Sequence, residues 1–247
     1  METGNSKPAL VLALAGFVLA TLVGGGLGLA LAFGPRASDR PIIGLSRGLA
    51  AKSAVGIVDE AKAAAERATS VHVYGSGTDN GVPLVIDLHI VADKGGKGRL
   101  SEHGLSFDLV RIGPSAYIKG SAAFYKQFAG VGAAQLLQGK WLKGSATTGD
   151  LASLTPLTDL RKFFDNALSN HGVLKKTGTT TVHGVQVVGI KDTTKGGVLY
   201  VATSGQPYPI EVTQGGTSAG TLTFDEWNQT VTLTPPPNAV DISKLKG

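Results

Sequence analysis

The sequence predicts an α+β domain in which a large antiparallel sheet carries helices against one face, preceded by an N-terminal transmembrane helix. Three observations carry this. Period-two alternation of apolar residues, clearest in VPLVIDLHIVAD (82–93), recurs on both sides of a helical middle. The strand-like runs follow one another through short Gly-rich turns that leave no room for crossover helices, which makes the sheet antiparallel. Residues 9–33 form an uncharged apolar run long enough to cross a bilayer. The order helix, strands, helices, strands is that of an α+β domain.

Composition narrows the function classes. Of 247 residues, 42% are hydrophobic and 17% charged, which is too apolar and too weakly charged for a disordered chain. The absence of cysteine excludes disulfides, thiolate metal sites, cysteine nucleophiles and a lipidated cysteine. Net charge is +5, a mild basic excess that favours anionic surfaces without requiring nucleic acid. The 35 glycines are about twice the usual ~7% share and point to many turns.

Residues 1–8 form a short tail, and 9–33 (ALVLALAGFVLATLVGGGLGLALAF) follow as the membrane anchor or signal segment. As a helix this run rises about 37 Å, against a hydrocarbon core of ~30 Å. A cleavable secretory signal is the rival, with Lys7 in front and Ala30-Leu31-Ala32 as a small-x-small site. Signal cores usually run about 7–15 residues, so an uncleaved single-pass anchor is the first reading. Arg36, Arg40, Arg47 and Lys52 follow the span while Lys7 alone precedes it, and the positive-inside rule on its own puts the main domain in the cytoplasm. Residues 34–53 are a Pro/Gly/Arg-rich linker, and the domain occupies 54–247.

Within the domain, an Ala-rich helix is expected over about 57–69, with Asp59 and Glu60 in its first turn and a thin stripe of Ile57, Val58, Ala61, Ala65 and Ala68. Strands follow at 71–74 and 82–93, then a turn KGGKG (94–98), then strands at RLSEH, GLSFDLVRIG and AYIKG. SAAFYKQFAG is expected as a short helix burying Phe124 and Phe128, broken at Gly130–Gly132 before AAQLLQG. KWLKG repeats the AYIKG pattern as a strand. TPLTDLRKFFDNALSN reads as one helix capped by Thr155, with Pro156 at its first position. Its face is Leu157, Leu160, Phe163, Phe164, Ala167 and Leu168. From 173 to 233 the runs VLKKTGTTT, VQVVGIKD, VLYVAT, IEVT, TLTFDEW and VTLT read as strands, ended by Pro235–Pro237.

The motifs that carry chemistry are sparse. GTSAG (216–220) matches the G-x-S-x-G nucleophile motif with Ser218, but it lies between two strand-like runs with no helix after it, so a hairpin loop is expected and no catalytic residue is assigned. His72, His89, His103, His171 and His183 contain no H-E-x-x-H and no i, i+4 pair, so no metal site is assigned, although Asp87 and Asp93 share a strand with His89. Phosphate-loop spacing is absent, and the scattered lysines show no aromatic ladder, so neither a cofactor nor nucleic acid is expected. Asn228-Gln229-Thr230 fits the glycosylation sequon. The remaining signal is apolar: long aliphatic rows in the strands, and two helical groups carrying Phe124, Phe128, Phe163 and Phe164. These side chains either line a hollow between helices and sheet or fill a core.

Several features together resemble a known family. SVHVYGSG after an Ala-rich helix, the paired AYIKG and GKWLKG, the Pro-started helix between strands, and the ending TLTFDEWNQTVTLTPPP with DIS are similar to the LppX/LprG-type mycobacterial lipoproteins. More broadly they resemble the LolA-like lipoprotein-carrier fold, over about residues 54–243. The resemblance implies an incomplete barrel, a curved antiparallel sheet with helices against its concave face, and an apolar cavity for acyl chains. It implies that Leu84, Ile86, Leu88, Phe107, Leu109, Phe124, Phe128, Phe163 and Phe164 face that cavity, and that Trp141 and Trp227 anchor their strands. It also puts the domain outside the cell membrane, against the charge bias. The family is tethered by a lipidated cysteine that this chain lacks, and the 9–33 span would replace it.

The leading expectation is therefore a membrane-anchored, extracytoplasmic, non-enzymatic binding protein for lipid or another acylated ligand, acting in lipid or lipoprotein transport, presentation or sensing. The alternative is an envelope protein-interaction domain without a cavity, and the two are separated by an internal pocket of ~300 Å³ or more. A serine hydrolase at Ser218 is the third reading.

Overall fold

The computed structural model of the protein describes residues 48–79 and 81–245. The expected span at 9–33, the signal-cleavage site and nearly all of the linker lie outside the described residues. Among the described residues, no helix is long and apolar enough to cross a membrane.

Helix α1 (Ala54–Arg67) begins earlier than its composition indicates, because the Ser53 side chain caps it by accepting from the Gly56 N–H. Asp59 and Glu60 consequently fall past the first turn, where no acidic residue stands, while Arg67 does occupy the last turn. The stripe of Ile57, Val58, Ala61, Ala65 and Ala68 is buried. A meander of six strands follows: β1 (Ser70–Asp79), β2 (Val82–Val91), β3 (Gly95–Glu102), β4 (Leu105–Ile112), β5 (Ser115–Gly120) and β6 (Leu142–Ser145). Between the last two lies α2 (Ala122–Leu137), capped by Ser121 and kinked at Gly130 (φ 83°). After β6 come α3 (Thr155–Thr158) and α4 (Leu160–Ser169). A second meander, β7 (Leu174–Val182), β8 (Val185–Asp192), β9 (Val198–Ala202), β10 (Pro209–Gln214) and β11 (Gly220–Asp225), returns to pair β11 with β1. The short β12 (Val240–Asp241) adds to β6 in parallel.

All twelve strands form one open sheet in the order β12-β6-β5-β4-β3-β2-β1-β11-β10-β9-β8-β7. Directly opposed residues share a face, so the register defines continuous rows. One row runs Phe224, Val73, Leu88, Gly98, Leu109, Ile118, Leu142 across seven strands, and the helices bury their apolar sides on it. The repeated AYIKG and KWLKG segments are neighbours, with Ile118 opposite Leu142.

Three local expectations are corrected. KGGKG is not a turn: Asp93 (φ 57°) and Lys94 make the turn, and the glycines enter β3, where the absence of a side chain at Gly96 leaves room for Thr158. The helix expected over 155–170 is two helices. Asp159 (φ −107°, ψ 111°) breaks it and caps α4 by accepting from the Lys162 N–H, while Thr155 donates its hydroxyl to the Ala146 carbonyl instead of capping. VTLT (231–234) is not a strand: β11, the strand it follows, already has β1 on one side and β10 on the other, so a hairpin back onto β11 is blocked. Its backbone is held instead by side chains, the Lys97 ammonium donating to the Thr232 carbonyl at 3.1 Å.

Candidate ligand-binding hollow

The register places the residues that the family resemblance assigns to a cavity on the helix-covered face of the sheet and on the helices above it. Leu84, Ile86 and Leu88 of β2, Phe107 and Leu109 of β4, Phe124 of α2, and Phe163 and Phe164 of α4 are all buried in one contiguous apolar cluster. Phe128 lies in α2, and its side chain is outside the described residues. The cluster has two aromatic centres. Phe107 and Phe124 meet at 5.3 Å between ring centroids, while Phe164 packs against Phe163 (5.2 Å), Phe224 (5.4 Å) and Trp227 (5.5 Å). Trp227 stacks flat on Tyr208 at 4.3 Å, and the Lys119 ammonium sits over the Trp141 ring.

A hollow opens at the far end of this interlayer, between α1 and α4 on one side and β8–β10 on the other. Its walls are Val58, Ala167, Leu168, Leu174, Ile190, Leu199 and Val212, and its rim is Asn170, His171, Asp192, Lys195 and Gln214. Ile190, Leu199 and Val212 are successive partners in the register and so form one aliphatic row. The volume is about 60 Å³, well short of the ~300 Å³ at which small-molecule pockets begin. A larger cleft of about 510 Å³ at the β5–β6 end is lined by Pro114, Leu151 and Ile242 together with Ser115, Lys143, Ser145, Thr148, Asp241 and Ser243 among others, a mixed apolar and polar surface. Of the residues assigned by resemblance, none whose side chain is described lines either hollow.

The rim is rigidly wired. Lys195 donates its ammonium to the Asn170 carbonyl (3.1 Å) and side-chain oxygen (2.6 Å). Burial works against the Asp192 carboxylate, but the N–H groups of Gly172, Lys195 and Thr194 donate to it, and with the Lys195 charge they hold its pKa below the usual carboxylate range. Arg111, on the covered face of β4, ties the helix layer to the sheet: its guanidinium donates to the Thr158 hydroxyl (2.7 Å) and carbonyl (2.6 Å), and burial pushes its pKa down.

An apolar throat with a polar rim can take up hydrocarbon and hold a polar headgroup. Ser218 ends a 3-10 turn (Gly216–Ser218) joining β10 to β11, so the strand-turn-helix elbow is not formed. The Asn228 amide of the sequon is engaged: its oxygen accepts from the Thr69 N–H and its nitrogen donates to the Tyr208 hydroxyl. Val58, Ala167 and Leu168 are legible in the sequence as apolar helix positions, with nothing to mark them as walls of a hollow. Nor do β8 and β9 give a sign of which of their faces meets a helix.

No family model matches the chain, and no curated protein does. Solved structures do. LprF from Mycobacterium bovis superposes with a TM-score of 0.54 at 13% identity, covering 74% of this chain and 96% of its own. The Mycobacterium tuberculosis lipoprotein LppX gives 0.47 at 18% identity, covering 73% of this chain and 98% of its own. The likeness to LprF establishes a shared fold and meets the resemblance carried by the strand ends and turns.

Proposed function

We propose that the chain is an extracytoplasmic binding module for lipid or another acylated ligand, held at the membrane through residues 9–33. The observation that carries this reading is the aliphatic hollow between α1/α4 and β8–β10, which continues into the apolar interlayer and has Lys195 at its mouth. At about 60 Å³ it is the closed form of the site. An acyl chain enters as α1 and α4 lift from the second meander, and each methylene removed from water contributes ~0.8 kcal/mol toward that opening. α1 meets its neighbours largely through small side chains, with Ala61, Ala64 and Ala65 buried beside Ile57 and Val58. The fold shared with LprF is consistent with this reading. Phe163, Phe164, Leu88 and Leu109 become the deeper walls once the layers part. On this reading the domain receives, presents or senses a lipid near its own membrane.

Organic extraction and mass spectrometry of the full chain, purified without added lipid, should recover a copurifying acyl lipid. Val212→Trp, which fills the hollow from its sheet side, should lower the recovery while far-UV circular dichroism is retained. Recovery unchanged by that variant would exclude this hollow, and lipid-free wild-type protein would exclude the reading.

A second reading, a protein-interaction domain of the envelope, is favoured by the size of the hollow, which at about 60 Å³ falls short of the ~300 Å³ that separates the two readings, and by one further observation. The edge strand β7 is exposed along most of its length, and a partner strand can add to it. A partner captured by lipid-free protein, and lost when β7 is blocked by Thr179→Pro, would favour it.

A further inference from the structure

The uncovered face of the sheet carries a cluster that neither the apolar hollow nor the family resemblance uses. His72 on β1 stands directly opposite His89 on β2 and Asp225 on β11. The two imidazoles stack at 4.2 Å between centroids, 13° from parallel. Asp87 completes the group, and one ligand atom each from His72, Asp87 and His89 lie within 4.8 Å of one another. We propose that His72, Asp87 and His89 bind a divalent first-row transition metal of mixed nitrogen and oxygen preference, with Zn²⁺ as the working case.

Three features beyond proximity support this. First, His72 Nε2 and Asp87 Oδ1 are 3.1 Å apart. Two ligands at ~2.0–2.1 Å from a tetrahedral zinc lie about 3.3 Å apart, so this pair already has nearly the required bite. Second, each imidazole has its other side held by a separate carboxylate. His72 Nδ1 meets Asp225 Oδ1 at 2.9 Å, and His89 Nε2 meets Glu226 Oε2 at 3.1 Å. A carboxylate on the second ring nitrogen fixes the tautomer and raises ligand basicity, as outer partners of metal-bound histidines do. For His72 this leaves Nε2, the nitrogen facing Asp87, to take the ion; for His89 it leaves Nδ1 after a side-chain rotation. Third, three carboxylates surround two imidazoles, while on β3 Lys97 donates to the Thr232 carbonyl and Arg99 hydrogen-bonds Asp108, its charge acting on Asp87 only at longer range. A divalent cation balances that charge. Water fills the remaining coordination positions, since Asp87 is 62% exposed.

Only Asp87 on the strand of His89 hinted at this site in the sequence, because the histidines are 17 positions apart, a separation that means nothing on a helix but is closed by strand pairing. The location has a structural consequence. The ion ties β1 to β2 directly, and it reaches the β1–β11 seam, where the two meanders join, through the His72–Asp225 hydrogen bond.

The test uses the full chain, stripped with EDTA, exchanged into chelator-free buffer and dialysed against ZnCl₂, with bound metal read by elemental analysis. A single saturable zinc per chain is expected, with a zinc-dependent rise in Tm. Asp225→Asn should weaken binding by about 10–100-fold through the loss of outer-shell support. The double variant His72→Asn/His89→Asn should abolish both the binding and the Tm rise. His183→Asn, at a separate His–Glu211 pair, should change neither. Reading the Tm rise within each variant keeps the result independent of any stability lost by substitution. Stoichiometric zinc in the double variant, or no saturable binding to the wild type, would overturn the proposal.

Discussion

The two meanders of the sheet, β1–β6 and β7–β11, are built from the same antiparallel hairpins and covered on the same face, yet the helices sit tightly on β3 and β5 of the first and leave a hollow over β8–β10 of the second. Over the first meander the helices are seated closely. The Phe124 ring rests where a side chain on Gly120 would stand, Thr158 lies over Gly96, and Leu151 lies over Gly144. Arg111 then fastens α3 to the sheet from below. Over the second meander the cover is the alanine face of α1 and the end of α4, and the hollow remains between them. Glycine on the strand combined with a large side chain on the helix brings the layers into contact, whereas Val58, Ala167 and Leu168 over Ile190, Leu199 and Val212 leave a hollow. The second meander also places apolar residues on its other face, where Val187, Ala202 and Ile210 form a separate cluster. Its stability is thereby divided between two faces.

The largest expected effect tests this directly. Leu109 in the first meander and Leu199 in the second carry identical side chains on the same face, fully buried in one case and 8% exposed beside the hollow in the other. Leu109→Ala should cost about 4 kcal/mol and Leu199→Ala about 2 kcal/mol, the two ends of the range set by how completely a site is packed beforehand. Urea denaturation of both variants measures this, and equal losses would break the contrast between the halves. Next in size, Arg111→Met keeps the aliphatic stem but leaves the Thr158 carbonyl without its charged donor. A loss of about 2 kcal/mol is expected, with faster amide exchange across 155–169 than elsewhere. That variant should make the first meander open more like the second.

The same contrast explains what the sequence conveyed. Period-two rows in β2 and the helix face from Leu157 to Leu168 are strong because burial on one side imposes them, and all of that face is buried. Asp159 was read as part of that helix because its capping geometry depends on Thr158 being held by Arg111, 47 residues away. VTLT has strand composition but follows a strand whose two sides are already paired, which only the strand order reveals. The sheet side of the hollow was hidden for a related reason. β8 is buried at Val187, Val188, Gly189 and Ile190 in succession, since it has apolar neighbours on both faces and so loses the alternation that marks one face as inner. Where a strand serves two clusters, periodicity carries no direction.

The smallest effects concern how each meander holds its carboxylate. Burial opposes the charge of Asp108 and of Asp192 alike, and in both it is outweighed: by Arg99 and Lys119 for Asp108, and chiefly by backbone N–H groups for Asp192. Both folded pKa values lie below the unfolded one. Each carboxylate therefore contributes stability above its unfolded pKa and loses it as pH falls through the folded pKa, at the acid end of the carboxylate range. Asp192→Asn should cost about 1 kcal/mol at neutral pH, and the loss should persist in high salt, because donors fixed in a loop are not displaced by ions. Asp108→Asn should cost about 0.5 kcal/mol at low salt and much less at ~1 M NaCl, where the screening length falls to about 3 Å. Denaturation of both variants at the two salt concentrations separates the cases. A salt-sensitive Asp192 would mean that Lys195, and not the backbone of the 192–195 turn, holds the rim of the hollow. In that event an anionic headgroup competing for Lys195 would loosen the rim as it binds.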